Sequence, residues 1–198
     1  MPKEDEMTKT LEAWQKMPGA LHRNRMHARS FSVEMFHVNS NQLLVFLRSN
    51  IDPKGIWAGL SDLDESHRTL RECARRLHNF LAGAMTLVDH TRVLMDKNYK
   101  NTRLAVTFKN GIELNFAKNP TTRFVQDLRN FMVHRGMPPF GRALRVQPIA
   151  GGAPNLVNVA GDWYLTKAEL MVWDGWKAEA KAYLRSAAEE IDVIGLVE

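Results

Sequence analysis

Three interleaved series of apolar residues recur every seven positions between residues 62 and 98. Leu63, Leu70, Leu77 and Ala84 form the first, Cys73, Phe80, Leu87 and Leu94 the second, and Ala74, Leu81, Val88 and Met95 the third. A repeat sustained over about ten turns specifies one long helix, Asp62 to Asn98, with a wide apolar stripe covered by other helices or by another subunit. Beside the stripe runs a partly polar row, Arg75, Asn79, Gly83, Thr86 and His90. A glycine inside a helix costs about 1 kcal/mol against alanine, so Gly83 points to close helix approach. Asn79, Thr86 and His90 are read as a supporting row that faces a second helix; an ordinary hydrogen-bonded network or a solvent face is the other reading.

The second helix is the one after Asn119-Pro120, which supply a cap and a first-turn proline. It closes at Gly136, with Pro138-Pro139 beyond. Phe124, Val125, Leu128, Phe131 and Met132 share its apolar side. Arg123, Asp127, Asn130 and His134 run down another side at three- and four-residue steps, and Arg129 lies next to that row.

The rest of the chain surrounds this pair. Thr8 to Met17 reads as a short helix ended by Pro18-Gly19, and the basic stretch Leu21–Arg29 as a surface turn. Val33 to Leu47 has helical spacing, and Asn50–Gly55 is a break. Leu104–Phe108, Asn110-Gly111 and Ile112–Phe116 read as a β-hairpin over about 103–117, because Asn-Gly is a strong two-residue turn signal. Ala143–Ile149 and Leu156–Val159 suggest a second pair of short strands around Gly151-Gly152-Ala153-Pro154. Thr166-Lys167-Ala168-Glu169 has capping-box spacing and opens a last helix along Leu170, Trp173, Ala180, Leu184 and Ala187, widened by Trp176 and Tyr183. Its aromatics are read as core, with base stacking as the alternative. The apolar tail Ile191–Val197 should dock on the body or on a partner. The expected fold is mainly α, a single domain with its helical core at about 30–136 and 166–190 and small β insertions.

A chain of 198 residues, 44% hydrophobic, can bury a sizeable core. One cysteine, Cys73, excludes an internal disulfide. The charged start Met1–Glu6 lacks the apolar core of a secretory signal, and no apolar run reaches the roughly 18–20 residues of a membrane span, so a cytoplasmic protein with no membrane association is expected. No phosphate loop, His-Glu-x-x-His, cysteine pair or Gly-x-Ser-x-Gly elbow is present, and carboxylates are scattered. No metal and no cofactor is therefore expected, and any hydrolysis should be metal-independent. The formal charge is +5, and the segment Lys118–Arg145 alone carries that excess: Lys118, Arg123, Arg129, Arg135, Arg142 and Arg145 stand against Asp127. This is either a solvated basic face or a surface for phosphates.

Arg129-Asn130-Phe131-Met132-Val133-His134 resembles the Arg-x(4–6)-His motif of the HEPN superfamily, small helical proteins of which many are metal-independent RNases of toxin–antitoxin and phage-defence systems. The residue after the arginine is typically polar there, and Asn130 fits. A second match to the Arg-x(4–6)-His pattern occurs at Arg71–His78. The resemblance implies a HEPN-like bundle and an endoribonuclease with Arg129, Asn130 and His134 as catalytic residues, in which the RNA 2′-hydroxyl attacks the adjacent phosphorus. Arg123, Arg135, Arg142 and Arg145 would then bind RNA. Asn79, Thr86, His90 and Asp127 would support the site. It also implies a homodimer, because Arg129 and His134 lie about 140° apart around one helix, and an antitoxin as a further partner. The competing class is a non-catalytic helical module that binds RNA or a protein, with Arg123–Asp127 as an ion pair and Asn130 and His134 as structural hydrogen-bonding groups.

Overall fold

The computed structural model describes residues 2–148 and 157–198. The architecture is mainly α with a small antiparallel sheet. Helix α1 is Pro2–Gln15 and α2 is Pro18–Ser49. The segment Leu21–Arg29 is thus helical, not a turn. No Gly or Pro interrupts residues 20–52, and the many Arg, Leu, Met and Ala residues there are good helix formers, so a low apolar content did not prevent the helix. Described side chains of α1 are exposed, and Arg23 of α2 lies 4.6 Å above the Trp14 ring. Helix α3 is Pro53–Ser61, capped by Asp52, whose carboxylate accepts from the Gly55 N–H at 2.9 Å.

Helix α4, Leu63–Asn98, is the long helix that the heptads require, opened by Asp62, which accepts from Glu65 N–H at 3.0 Å. It runs antiparallel to α2. His90 meets Ser32, Gly83 meets Asn39, and Arg76 donates to the Gln42 carbonyl at 2.9 Å, so numbers rise on one helix as they fall on the other. Gly83 is a point of close approach: a Cβ there would sit 3.2 Å from Asn39 Nδ2 and 3.5 Å from Phe36 Cα.

The expected hairpin at 103–117 is absent. Residues Arg103–Ile112 form helix α5, and Glu113–Ala117 continue it as a π-helical turn. Thr102 caps α5 by accepting from Ala105 N–H at 3.3 Å, and Leu104, Phe108 and Ile112 are spaced four apart, a helical face that outweighs the Asn110-Gly111 turn signal. Helix α6, Pro120–His134, begins at Asn119, whose Oδ1 accepts from Thr121 and Thr122 N–H at 3.0 and 3.2 Å. It ends before Gly136, which takes φ +105°, a left-handed conformation that glycine adopts without strain.

Strand β1, Phe140–Pro148, pairs antiparallel with β2, Val157–Thr166, in the register Phe140↔Leu165 to Pro148↔Val157. These strands are longer than the expected pair and extend toward the helices. Ile149, the connecting Gly151–Pro154 and Leu156 lie outside the described residues. The last helix is two helices, α7 Lys167–Met171 and α8 Ala178–Ser186, split around Asp174-Gly175; the Thr166 side chain makes no cap bond. The tail forms strand β3, Glu190–Asp192, paired with β2, and then α9, Val193–Val197, packed on α2 and β2.

One hydrophobic cluster joins these parts: Leu43 and Leu47 of α2, Cys73 to Leu81 of α4, Phe124, Leu128 and Phe131 of α6, Trp163 and Leu165 of β2, and Leu170 through Val193. Between α6 and α8 it is aromatic. Phe124 stacks on Tyr183 at 4.6 Å and on Trp176 at 5.4 Å, and Phe131 stacks on Trp176 at 5.7 Å. Such pairs contribute about 0.5–1.5 kcal/mol each beyond area burial. The tryptophan indoles also find partners, Trp176 on the Leu170 carbonyl and Trp163 on the Leu47 carbonyl.

Burial, aided by the neighbouring Glu72 charge, pushes the Cys73 thiol up to about 12. An unfolded thiol ionises near 8.5, so the fold keeps Cys73 protonated where the unfolded chain loses the proton. Its contribution to stability is therefore complete below about pH 8.5 and declines as pH rises toward 12. Alkylation with iodoacetamide at pH 8.5 should be slow in native protein and fast in denaturant; rapid native labelling would contradict the enclosed thiol.

Candidate phosphate-binding cleft

Where α4, α6 and the start of α8 meet, a cleft of about 270 Å³ is lined mainly by charged and polar side chains. Helix α4 presents Met85, Asp89 and Arg92, spaced four and three apart on one face. Helix α6 presents Arg123, Gln126, Asp127 and Asn130, again on one face, with Arg129 beside them. Lys177, at the cap of α8, completes the wall.

Four cations therefore face two carboxylates, and both carboxylates are already engaged. Asp127 is 2% exposed, and its Oδ2 accepts from the Lys177 backbone N–H at 2.8 Å. The Lys177 side chain has no cap bond to offer its own helix. Asp127 takes that part from across the interface, where the helix N-terminus favours a negative charge. Lys177 Nζ lies 3.9 Å from Asp127 Oδ1, the outer limit of an ion pair. Asp89 meets Arg92 at 3.4 Å with both side chains half in water, a weak pairing.

The arginines keep donors to spare. Arg123 Nη1 donates to Gln126 Oε1 at 2.9 Å, which fixes the side chain, while its buried Nε has no partner. A buried donor left unpaired costs about 1–3 kcal/mol. Arg129 is exposed and makes only a long 3.5 Å contact with Asn130 Oδ1. A guanidinium presents five donors in a fork that fits phosphate oxygens.

The sequence-derived residues divide at this point. Arg123, Asp127, Arg129 and Asn130 come together in the cleft. His134, one turn beyond Asn130, is exposed at the end of α6 and does not line it. Arg135 is exposed at the C-cap of the same helix. Arg142 packs back under α3, with its guanidinium 5.7 Å from the Trp163 ring, and burial lowers its pKa from the usual arginine value. Arg145 forms ion pairs with Glu190 and Asp162, the second at 2.8 Å, and these bonds raise its pKa.

The supporting row expected opposite α6 turns elsewhere. Gly83 faces α2, and His90 Nδ1 lies 2.6 Å from the hydroxyl of buried Ser32, also on α2. Asn79 and Thr86 are half-buried and do not line the cleft. The α4 residues that line the cleft with α6 are Met85, Asp89 and Arg92, the first two each one position before Thr86 and His90 of the expected row. Sequence reasoning missed them and Lys177. Their spacing of four and three was a usable signal, hidden by the heavier apolar repeat.

Among the described residues no group of three His, Cys, Asp or Glu side chains is placed to hold a metal ion, and no helix is long and apolar enough to cross a membrane. Comparison with family models, curated proteins and solved structures finds no match to this chain.

Proposed function

We propose that this protein binds RNA through its phosphate backbone, with Arg92, Arg123, Arg129 and Lys177 holding one phosphate in the cleft. The observation that carries the reading is the set of four cations around a cleft whose two carboxylates are engaged, with an unpartnered donor of Arg123 buried in its wall. Backbone binding of this kind is electrostatic and independent of sequence. Asn130, next to Arg129, adds a neutral donor and acceptor for a sugar or phosphate oxygen.

A second reading is a HEPN-like endoribonuclease, favoured by the presence of Arg129 and Asn130 in the cleft and by the exposure of His134. Here the 2′-hydroxyl gives up its proton to a base as its oxygen attacks phosphorus. The P–O5′ bond then breaks, the 5′-oxygen is protonated, and a 2′,3′-cyclic phosphate remains. His134 would serve as general acid or base in these proton transfers. Arg129 would hold the charge on the phosphorane oxygens. Since His134 does not line its own cleft, this reading places it in the cleft of a second copy, in a homodimer. The exposed apolar side chains Met7, Leu11 and Trp14, on one face of α1, support a partner surface. A toxin or defence role and an antitoxin partner belong to this second reading.

Binding of a fluorescent single-stranded RNA across a salt series tests the first reading. Arg123→Gln with Arg129→Gln should weaken binding at least tenfold and flatten the log–log salt slope by about 0.7, the share of one phosphate contact on a single strand. An unchanged slope would remove the cleft from RNA binding. Cleavage in EDTA that leaves cyclic ends and is lost in His134→Ala would establish the second reading; binding without cleavage would leave the first alone.

A further inference from the structure

The basic cleft has an apolar neighbour. A pocket of about 350 Å³ lies between α4, α5, the π-helical turn and α6, with Phe36 of α2 closing one side. Leu87, Val88, Phe108, Ile112 and Val125 form most of its wall. Met85, Arg92 and Gln126 line both this pocket and the basic cleft, so the two adjoin at these side chains. Arg92 is the one charged side chain among the residues that line the apolar pocket.

We infer that pocket and cleft together take an amphipathic anion, an unbranched alkyl chain ending in a carboxylate or phosphate. The chain lies against Val88, Phe108 and Val125, and the head group meets Arg92, with Arg123 and Arg129 beyond it. A pocket of this size and lining falls within the range of small-molecule sites, where a few charged groups set the orientation of an apolar body. A nucleobase fits the same space poorly. The Thr91 hydroxyl already donates to the Leu87 carbonyl at 2.7 Å, and Gln126 Oε1 already accepts from Arg123. The edge of a base would have the Thr122 hydroxyl and the Gln126 amide N–H groups beside Arg92, and any polar group it left unpaired would be costly to bury. A hydrocarbon has none to pair. The charge of the cleft selects an anion over a cation or an alcohol. This inference does not rest on the RNA reading, although both ligands would use Arg123 and Arg129.

The test is calorimetric titration of the full chain with hexanoate, octanoate and decanoate, then with decyl phosphate, decanol and decyltrimethylammonium. Affinity should rise about fourfold per methylene, the equivalent of about 0.8 kcal/mol. Decanoate or decyl phosphate should bind at least tenfold more tightly than decanol, and comparison of the two anions identifies the preferred head. Arg92→Gln should remove that anion preference without affecting decanol. Val88→Trp, which fills the pocket, should abolish binding of all three while circular dichroism shows the fold intact. If Val88→Trp does not fold, decanoate protection of Arg92 from phenylglyoxal gives an independent readout. Affinity that does not depend on chain length, equal binding of decanol and decanoate, or a dimer whose formation excludes decanoate would overturn the inference. None of these readouts involves RNA, so the two proposals can fail separately.

Discussion

Trp163→Ala should destabilise the protein by about 3–5 kcal/mol, the range for deleting a fully enclosed aromatic side chain. For a chain of this length that corresponds to a fall in Tm on the order of 10 °C. Trp163 joins the sheet to the helices. It lies on β2, packs 6.1 Å from the Phe46 ring of α2, and donates from Nε1 to the Leu47 carbonyl at 3.1 Å. That carbonyl also accepts from Asn50 N–H at 3.1 Å, so it is not orphaned when the indole is removed. Most of the cost therefore comes from the cavity. Trp163→Phe separates the contributions: it keeps much of the volume, loses the hydrogen bond of about 1 kcal/mol, and should cost well under half as much. Urea denaturation with an unchanged m-value measures both. Equal losses for the two variants would show that the hydrogen bond, not the volume, dominates.

Gly161→Ala should be nearly as damaging, although it adds a single methyl group. Gly161 sits opposite Leu144 in the sheet, and an added Cβ would run into the Ile51 carbonyl oxygen and Ile56 Cδ1. The first obstacle is backbone between α2 and α3 and cannot rotate away. The expected loss is about 3 kcal/mol, at the upper end of ordinary overpacking. Ile56→Ala in the same chain should recover little, because it clears only the side-chain clash. Gly141→Ala is the contrast: its Cβ would meet the half-buried Tyr164 ring, a side chain that can move. Thermal melts that rank Gly141→Ala below Gly161→Ala would contradict this account of the seam.

These two positions also show where the sequence was silent. The long helix was legible because twelve apolar residues kept a seven-residue beat, and helix α6 because Asn119, Pro120 and Gly136 mark its ends. Local signals misled when two of them competed. At Asn110-Gly111 a strong turn pair lay inside the helical spacing of Leu104, Phe108 and Ile112, and the helix won because Thr102 capped it. At Asp174-Gly175 the opposite happened, and a continuous apolar stripe concealed a break between α7 and α8. Long-range partners left no trace at all. Nothing near Lys177 in the chain announces that Asp127 caps its helix from fifty residues away. For the same reason the basic residues could be counted in sequence but not sorted. Arg123 and Arg129 enter the cleft, while Arg145 is held by Asp162 and Glu190, both distant along the chain.

Helix α5 has no buried side chain, and its contacts run chiefly to the π-helical turn that follows it. A ten-residue helix held by a few half-buried side chains is marginal in water. Its amide hydrogens should therefore exchange through local opening, at a free energy far below that of global unfolding, while those of α4 wait for the whole molecule to unfold. Phe108 and Ile112, which wall the apolar pocket, belong to this weakly held arm. Two side chains of that pocket's wall therefore stand on a segment expected to open locally, apart from the unfolding of the core.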